Sequence, residues 1–405
     1  MRFSYIKNTV LLFVLVLVAC GNNATQNTPT VGANQLERYL PLLKNKKVGV
    51  IANQTSVIFD NKSPKKTKRH LVDSLLDRGI SIQKVFAPEH GYRGQADAGE
   101  YVKNGVDIKT GLQIVSLYGS NRKPSPEVLK DLEVILFDIQ DVGTRFYTFV
   151  STLHYMMEAC ASFDIPLVLL DRPNPNGHYI DGPVLDMRYK SFVGMHPVPI
   201  AHGMTLGEFA NMINGEGWLN NNLKCDLTVI PISNYSRKNP YLLPIKPSPN
   251  LPNPKAINLY PSLCLFEGTN VSVGRGTETQ FQVFGSPYFE AQKYTYQFIP
   301  KPNFGAKTPK HKGQICYGKY LKKTAFLNEI QLNWLIEAYQ NSKNKSVFFN
   351  SFFTKLAGQT MLQSQIENGW TALEIKKSWT HDLNLFKEKR AKYLLYPYVS
   401  GAMLK

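Results

Sequence analysis

Acidic residues are scarce in this chain. Asp and Glu number 30 against 47 Lys and Arg, a formal charge of +17 over 405 residues. Basic proteins attract nucleic acid, anionic lipid or acidic substrates. Nucleic acid is not the expected partner, because no nucleic-acid-binding motif is present and no predicted helix carries a long basic stripe. The densest cluster, Lys62, Lys65, Lys66, Lys68 and Arg69, falls in a polar loop and reads as solvated surface. Cysteine is also scarce, with five residues and no C-x-x-C spacing, which argues against a zinc knuckle or a thioredoxin motif. No H-E-x-x-H or H-x-x-x-H spacing is found, so no metal site is expected. G-x-G-x-x-G is missing after the first predicted strand, as are G-x-x-x-x-G-K-[ST] and G-x-S-x-G. Dinucleotide binding, nucleotide hydrolysis and α/β-hydrolase chemistry lose their support together.

Long apolar runs are missing too. Val10–Val18 is too short for a good membrane span. Preceded by Arg2 and Lys7 and followed by Leu17-Val18-Ala19-Cys20-Gly21, it has the shape of a bacterial lipoprotein signal. On that reading residues 1–20 are the signal peptide and Cys20 carries the lipid. Residues 21–35 are then a flexible tether, and the protein is exported and membrane-anchored, facing the periplasm. An ordinary signal peptide with a chance cysteine is the alternative. The other four cysteines, Cys160, Cys225, Cys264 and Cys316, could pair after export or stay free and buried.

What is present has a clear order. Apolar runs at Lys47–Asn53, Ile82–Ala87, Gln113–Leu117, Glu133–Phe137, Ile165–Leu170 and Asp226–Ile232 read as strands. Helical patterns at Lys68–Arg78, Pro126–Leu132, Tyr147–Ser162 and Thr205–Glu216 are interspersed among them. Continuous apolar strands interspersed with helices predict a mostly parallel sheet covered on both faces. The proline-dense stretch 247–254 marks a linker or a rigid wall, so the boundary is set between a domain at 36–250 and one at 251–405. The second domain is expected to be α+β, ending in a helix from Trp379 to Lys392.

Polar groups gather just past the strand ends of the first half, the edge where open α/β sheets bind ligands. They are Asn53, Glu89, His90, Asp138, Gln140, Asp141, Asp171 and Arg172. Any one alone reads better as a cap or a local ion pair; their recurrence predicts a cleft. Two carboxyl groups across a cleft suffice for glycoside hydrolysis, one protonating the leaving oxygen and the other attacking carbon or activating water. Glu89, in Pro88-Glu89-His90-Gly91-Tyr92-Arg93-Gly94, is the first candidate. Glu267, in a loop of small residues, is the second, unless its own turn's amides hold it; Asp138 competes with it. Arg145, Arg172 and Arg275 could each grip a substrate carboxylate or pair with a local Asp. His90, His196 and His202 could donate to sugar hydroxyls or be structural.

Several strings together resemble the DUF1343 family, the exo-β-N-acetylmuramidases called NamZ. They are KVGVIANQTSV (47–57), FAPEHGYRGQADAGE (86–100), VSLYG (115–119), ILFDIQDVGTRFYTFVSTL (135–153), LDRPNPNG (170–177), HGMTLGE (202–208), PSPNLP (247–252), YPSLCLFEGTNVSVGRGTE (260–278) and KYLLY (392–396). The resemblance spans nearly all of the chain after residue 20. It implies a Rossmann-like N-terminal domain, a smaller C-terminal α+β domain and an active site in the cleft between them. It implies release of terminal N-acetylmuramic acid (MurNAc) from the non-reducing end of peptidoglycan fragments, with no cofactor; a muropeptide-binding lipoprotein without catalysis is the alternative. It puts Glu89 in the catalytic frame and Glu267 near it. The substrate-binding candidates are Asn53, His90, Arg93, Gln140, Asp141, Arg145, Arg172, His202, Asn270 and Arg275. The substrate's lactyl carboxylate suits a basic protein with placed arginines.

Overall fold

The computed structural model describes residues 28–60, 67–94, 100, 104–237 and 241–396. The expected signal peptide, Cys20 and the first part of the tether lie outside these residues. The tether was expected to run to residue 35, but the chain is already packed by Thr30. Thr30 bridges Ser233, the Gly32 amide donates to the Asp171 carbonyl at 2.9 Å, and Val31 and Ala33 are buried.

Among the described residues, nine strands belong to the first half. They are Val48–Ala52 (β1), Val57–Phe59 (β2), Lys68–His70 (β3), Ile82–Ala87 (β4), Gly105–Val106 (β5), Gln113–Ser116 (β6), Val134–Asp138 (β7), Leu167–Leu170 (β8) and Leu227–Ile230 (β9). Seven form one sheet in the order β5-β6-β4-β1-β7-β8-β9, parallel throughout except for the edge strand β5. Apolar residues fill both faces because successive side chains alternate across the sheet. Ile51, Phe86, Ile135, Phe137, Leu167 and Leu169 meet the helices Phe149–Ser162 and Leu206–Gly215 on one side. Val48, Val50, Val85, Val134, Leu136 and Val168 meet Leu36–Leu43 and Leu71–Leu76 on the other.

The helix expected over Lys68–Arg78 is shorter. Lys68–His70 pairs antiparallel with β2, and the helix starts at Leu71, where the His70 ring accepts from the Val72 amide at 3.3 Å. Leu71 and Leu75 still point into the core, so the periodicity was right and only its first turn is strand.

The proline-dense stretch does not hang free. Ser248, Asn250 and Leu251 are buried, and Pro254 opens the helix Pro254–Leu263, whose N-cap Asn253 accepts from the Ala256 amide at 3.0 Å. Proline at the first helical position is favoured because its missing N–H costs nothing there. The second half carries a three-stranded antiparallel sheet, Val283–Ser286 (β10), Tyr296–Phe298 (β11) and Cys316–Tyr320 (β12), in the order β10-β12-β11. Helices Asn333–Gln340, Phe352–Ala357, Met361–Glu367 and Ala372–Ala391 follow. The last begins seven residues before the expected Trp379, at a capping box of Thr371 and Glu374. Its end returns to the first half. Arg390 donates to the Gly203 carbonyl at 2.8 Å, and the Tyr396 hydroxyl donates to Asp171 at 2.6 Å. The four cysteines within the described residues are free and buried.

Candidate active site

In this strand order the crevice predicted to bind ligand opens where β1 and β7 lie side by side. Here the protein's own side chains fill it. Arg172 forks onto Asp138, with Nε to Oδ1 at 2.6 Å and Nη2 to Oδ2 at 2.8 Å, and also donates to the Val57 carbonyl at 3.0 Å. Asp138 is fully buried and Arg172 nearly so. Asn53 accepts from the Thr55 amide and hydroxyl, and the Thr55 hydroxyl accepts from the Gln140 amide at 3.0 Å. The Gln140 side chain donates to the carbonyls of Asp141 and Pro173, and Asp141 accepts from the Gly143 amide at 2.6 Å. Burial pushes the Asp141 carboxyl up to about 7.

The expectation that Asn53, Asp138, Gln140, Asp141 and Arg172 face a substrate is therefore corrected: they knit the strand ends to one another. Three other candidates are also structural. Arg145 is buried against four backbone carbonyls. His202 is buried, accepts from the Met204 amide, and is driven down to about 3 by burial and then by Arg390 and Arg145. Arg93 is forked to Asp107 at 2.8 and 3.2 Å and lies over the Tyr92 ring. Asn270 lies behind the Glu267 turn, its carbonyl accepting from His311, and does not line the cleft. His196 is buried against His154 at 2.9 Å.

The open space lies to one side of that plug. A cleft of about 660 Å³ runs between the two halves, and Glu89, His90, Glu267 and Arg275 all line it. Glu89 stands just beyond β4. The turn that carries it bends sharply, with His90 at φ 71, Gly91 at 76 and Gly94 at 71. Thr148, just before the helix Phe149–Ser162, donates its hydroxyl to Glu89 Oε2 at 2.6 Å. Tyr118, just beyond β6, hydrogen-bonds the same carboxyl, and burial together with that carboxylate raises the phenol's pKa.

Glu267 faces the cleft from the second half. It lies in the 3₁₀ turn Cys264–Gly268 that continues the helix Pro254–Leu263. Gly268 is required there: a Cβ would sit 2.4 Å from the Phe353 Cα. Arg275 forks onto Glu267, with Nε to Oε1 at 2.6 Å and Nη2 to Oε2 at 3.0 Å. Burial opposes the charge on Glu267, but Arg275 outweighs it and holds the carboxyl below its usual range. Lys310 supports the turn, its ammonium donating to the carbonyls of Phe266, Thr269 and Val271. Burial lowers the Lys310 pKa, partly offset by Glu267.

Aromatic rings close the floor. Tyr260 packs edge-on against Phe146 at 5.5 Å and Phe281 at 4.9 Å, and Arg275 lies over Phe281 at 5.0 Å. Arg122, Lys307 and Lys355 stand around the cleft. A floor of rings, two carboxyl groups and a basic surround suits a ring-shaped anionic ligand. Sequence reasoning missed Thr148, Lys310 and Tyr118 as site residues. Tyr118 had a signal, since it ends a strand beside β4. Lys310 had none, lying in a loop 43 residues past Glu267.

Comparisons with known proteins match the chain in two parts. The N-terminal model of the exo-β-N-acetylmuramidase NamZ family matches residues 48–255 and the C-terminal model matches 258–396. The chain is 39% identical over 382 residues to the peptidoglycan β-N-acetylmuramidase NamZ of Bacillus subtilis (strain 168), covering 89% of each. Two DUF1343 family crystal structures from Bacteroides fragilis NCTC 9343 superpose on it. One has a TM-score of 0.83 at 46% identity and the other 0.77 at 29%; each covers 91% of this chain and 99% of its own.

Proposed function

The chain belongs to the NamZ family of exo-β-N-acetylmuramidases, and from that membership we propose that it removes terminal MurNAc from the non-reducing end of peptidoglycan fragments. The observation that carries the mechanism is the pairing of Glu89 and Glu267 across one cleft, each supplied by a different half of the chain. Glu267 has both oxygens engaged by Arg275 and stays ionised. It cannot donate a proton, so that role falls to Glu89, which Thr148 and Tyr118 orient. Glu89 protonates the glycosidic oxygen as its bond to the anomeric carbon breaks, and water then adds to that carbon, giving up a proton that restores the Glu89 acid. Glu267, as a fixed anion, stabilises the positive charge that develops at the sugar ring. Arg275 has five N–H groups. Two are spent on Glu267, and its Nη1 makes no hydrogen bond among the described residues. That free edge takes the lactyl carboxylate, the group that distinguishes this sugar from its neighbour in the glycan.

The test follows free MurNAc released from a MurNAc-terminated disaccharide. The wild-type protein releases it, and Glu89→Gln, folded as judged by circular dichroism, loses at least about 100-fold in kcat. Full activity in that variant removes Glu89 from the mechanism. Absence of release by the wild type removes the enzyme reading. The same proposal includes lipid anchoring through Cys20 on the periplasmic side, supported by the Leu17–Gly21 string. Cys20→Ala expressed in a bacterial host then moves from the membrane to the soluble fraction.

A further inference from the structure

Arg145 is a buried cation that the proposed chemistry does not use. Its guanidinium donates to four backbone carbonyls: Nη1 to Pro183 at 2.7 Å and Val198 at 2.8 Å, and Nη2 to Leu356 at 2.9 Å and Ala357 at 2.8 Å. It is 3% exposed, burial pulls its pKa down to about 9, and no carboxylate pairs with it among the described residues. Burying a charge without a counter-ion is costly, and such a group persists where many oriented dipoles offset it. Here the four dipoles come from both halves of the molecule.

Each carbonyl belongs to a segment that supports a wall of the cleft, and Leu356 itself lines it. Pro183 and Val198 bracket the loop that carries Ser191, Phe192 and Val193 to the cleft. Leu356 and Ala357 end the helix Phe352–Ala357, which presents Phe352, Lys355 and Leu356 to the cleft. That helix also packs on the turn of Glu267. The Asn350 amide donates to the Gly268 carbonyl at 3.0 Å, Thr269 bridges Phe349, and Gly268 has no room for a Cβ against Phe353. On the other side, Arg145 lies three residues before Thr148, the hydroxyl that orients Glu89. Its own amide is fixed to the Ile200 carbonyl at 2.8 Å. Gly358 completes the arrangement. It sits at φ +75, and a Cβ there would lie 2.6 Å from Arg145 Nη2.

We propose that Arg145 is a positioning residue that fixes the support of Glu89 relative to the support of Glu267, and so sets the alignment of acid and sugar across the cleft. The proposal rests on Glu89 being the proton donor. A loosened clamp leaves both carboxyl groups chemically intact but lets their walls shift, and displacements of about 1 Å are enough to lose catalysis. The loss then falls on proton transfer to the leaving oxygen.

The experiment compares two substrates in the same enzyme sample. One is a MurNAc-terminated disaccharide, whose sugar leaving group needs a proton. The other is an aryl β-MurNAc glycoside with an acidic phenol, which needs little protonation. The ratio of kcat/KM for the two is independent of the fraction of folded enzyme, so a merely structural defect does not move it. Arg145→Met and Gly358→Ala are expected to lower the disaccharide-to-aryl ratio about tenfold or more, and Arg145→Lys, which keeps the charge with fewer donors, by less. The loss should appear in kcat on the disaccharide more than in KM. Should Arg145→Met fail to fold, Gly358→Ala decides, because it displaces the guanidinium while keeping its charge. A ratio within twofold of wild type in either folded variant overturns the proposal and leaves the muramidase reading standing. If the wild type releases no MurNAc, or Glu89→Gln is fully active, that reading fails first.

Discussion

Replacing Asp138 by Asn separates two accounts of a carboxylate that looks catalytic from sequence. In the structure Asp138 is a fully buried partner of Arg172, joined by bonds of 2.6 and 2.8 Å. Asn keeps the size, but it cannot accept both guanidinium donors or balance the charge. Arg172 would then be a buried cation held only by neutral acceptors, one Asn oxygen and the Val57 carbonyl at 3.0 Å. Breaking a buried pair in this way costs about 3–5 kcal/mol. For a cooperative unit of roughly 200 residues that lowers Tm by about 10 °C. The bonds that position Glu89 come from Thr148 and Tyr118, neither of which contacts Asp138. Activity per folded molecule at 25 °C should therefore stay within about threefold of wild type. Differential scanning calorimetry gives the stability, and MurNAc release gives the activity. A variant with wild-type Tm and no turnover would refute the reasoning, because it would return Asp138 to the chemistry.

Other perturbations probe neighbouring parts of the site. Asp141 has a folded-state pKa of about 7 against an ordinary value of 3.8, because it is buried. A raised carboxyl pKa favours folding fully below pH about 4, and that contribution is lost as pH rises through 7. Wild-type stability relative to Asp141→Asn should therefore fall between these pH values, by up to about 1.4 kcal/mol per unit. Parallel urea-unfolding results at pH 4.5 and 7.5 would contradict this. His90 adopts φ 71, a region costly for residues with a Cβ. His90→Gly should unfold at higher urea than His90→Ala by about 1 kcal/mol, since both lack the side chain and differ in backbone strain; equal midpoints would exclude strain there. Arg275→Lys keeps the charge but loses the fork. Wild-type enzyme should prefer the free lactyl acid over its methyl ester by about tenfold, and Arg275→Lys should erase that preference; an unselective wild type would show that the carboxylate is not read.

How much of this could be read from sequence depends on where each side chain's partner lies. Strands β1, β7 and β8 were legible because each is a short apolar run buried on both faces, and β4 because its last three residues are. Glu89 was legible because it ends such a run at a sharp glycine turn. The last helix was half legible. Its first turns expose Leu373 and rest on the Thr371–Glu374 capping box instead of on a strong apolar stripe. The boundaries that failed, at Lys68–His70 and near residue 30, failed because tertiary pairing with Val57–Phe59 and Ser233 overrode local preference.

The misread site residues have one physical cause. A crevice at a sheet's switch point needs polar groups whether it holds a ligand or is filled by the chain itself. Carboxylates, amides and a guanidinium satisfy either demand. Asp138 and Arg172 are 34 positions apart, and nothing local marks them as partners. Glu267 and Arg275 are only eight apart, close enough for one glycine-rich loop to fold back on itself, and they pair at the cleft instead of in the core. The pairs share a geometry and differ in exposure: 0% and 4% for the side chains of Asp138 and Arg172, 25% and 21% for Glu267 and Arg275. That difference decides which pair a substrate can reach. A forked pair shut off from solvent is out of a substrate's reach, whereas one at a cleft wall presents a guanidinium edge that a substrate can engage. Exposure is set by which elements pack over the pair, here the Arg145-clamped helix and loop on either side of the opening. It is a property of the assembled halves, which no window of residues around Glu267 contains.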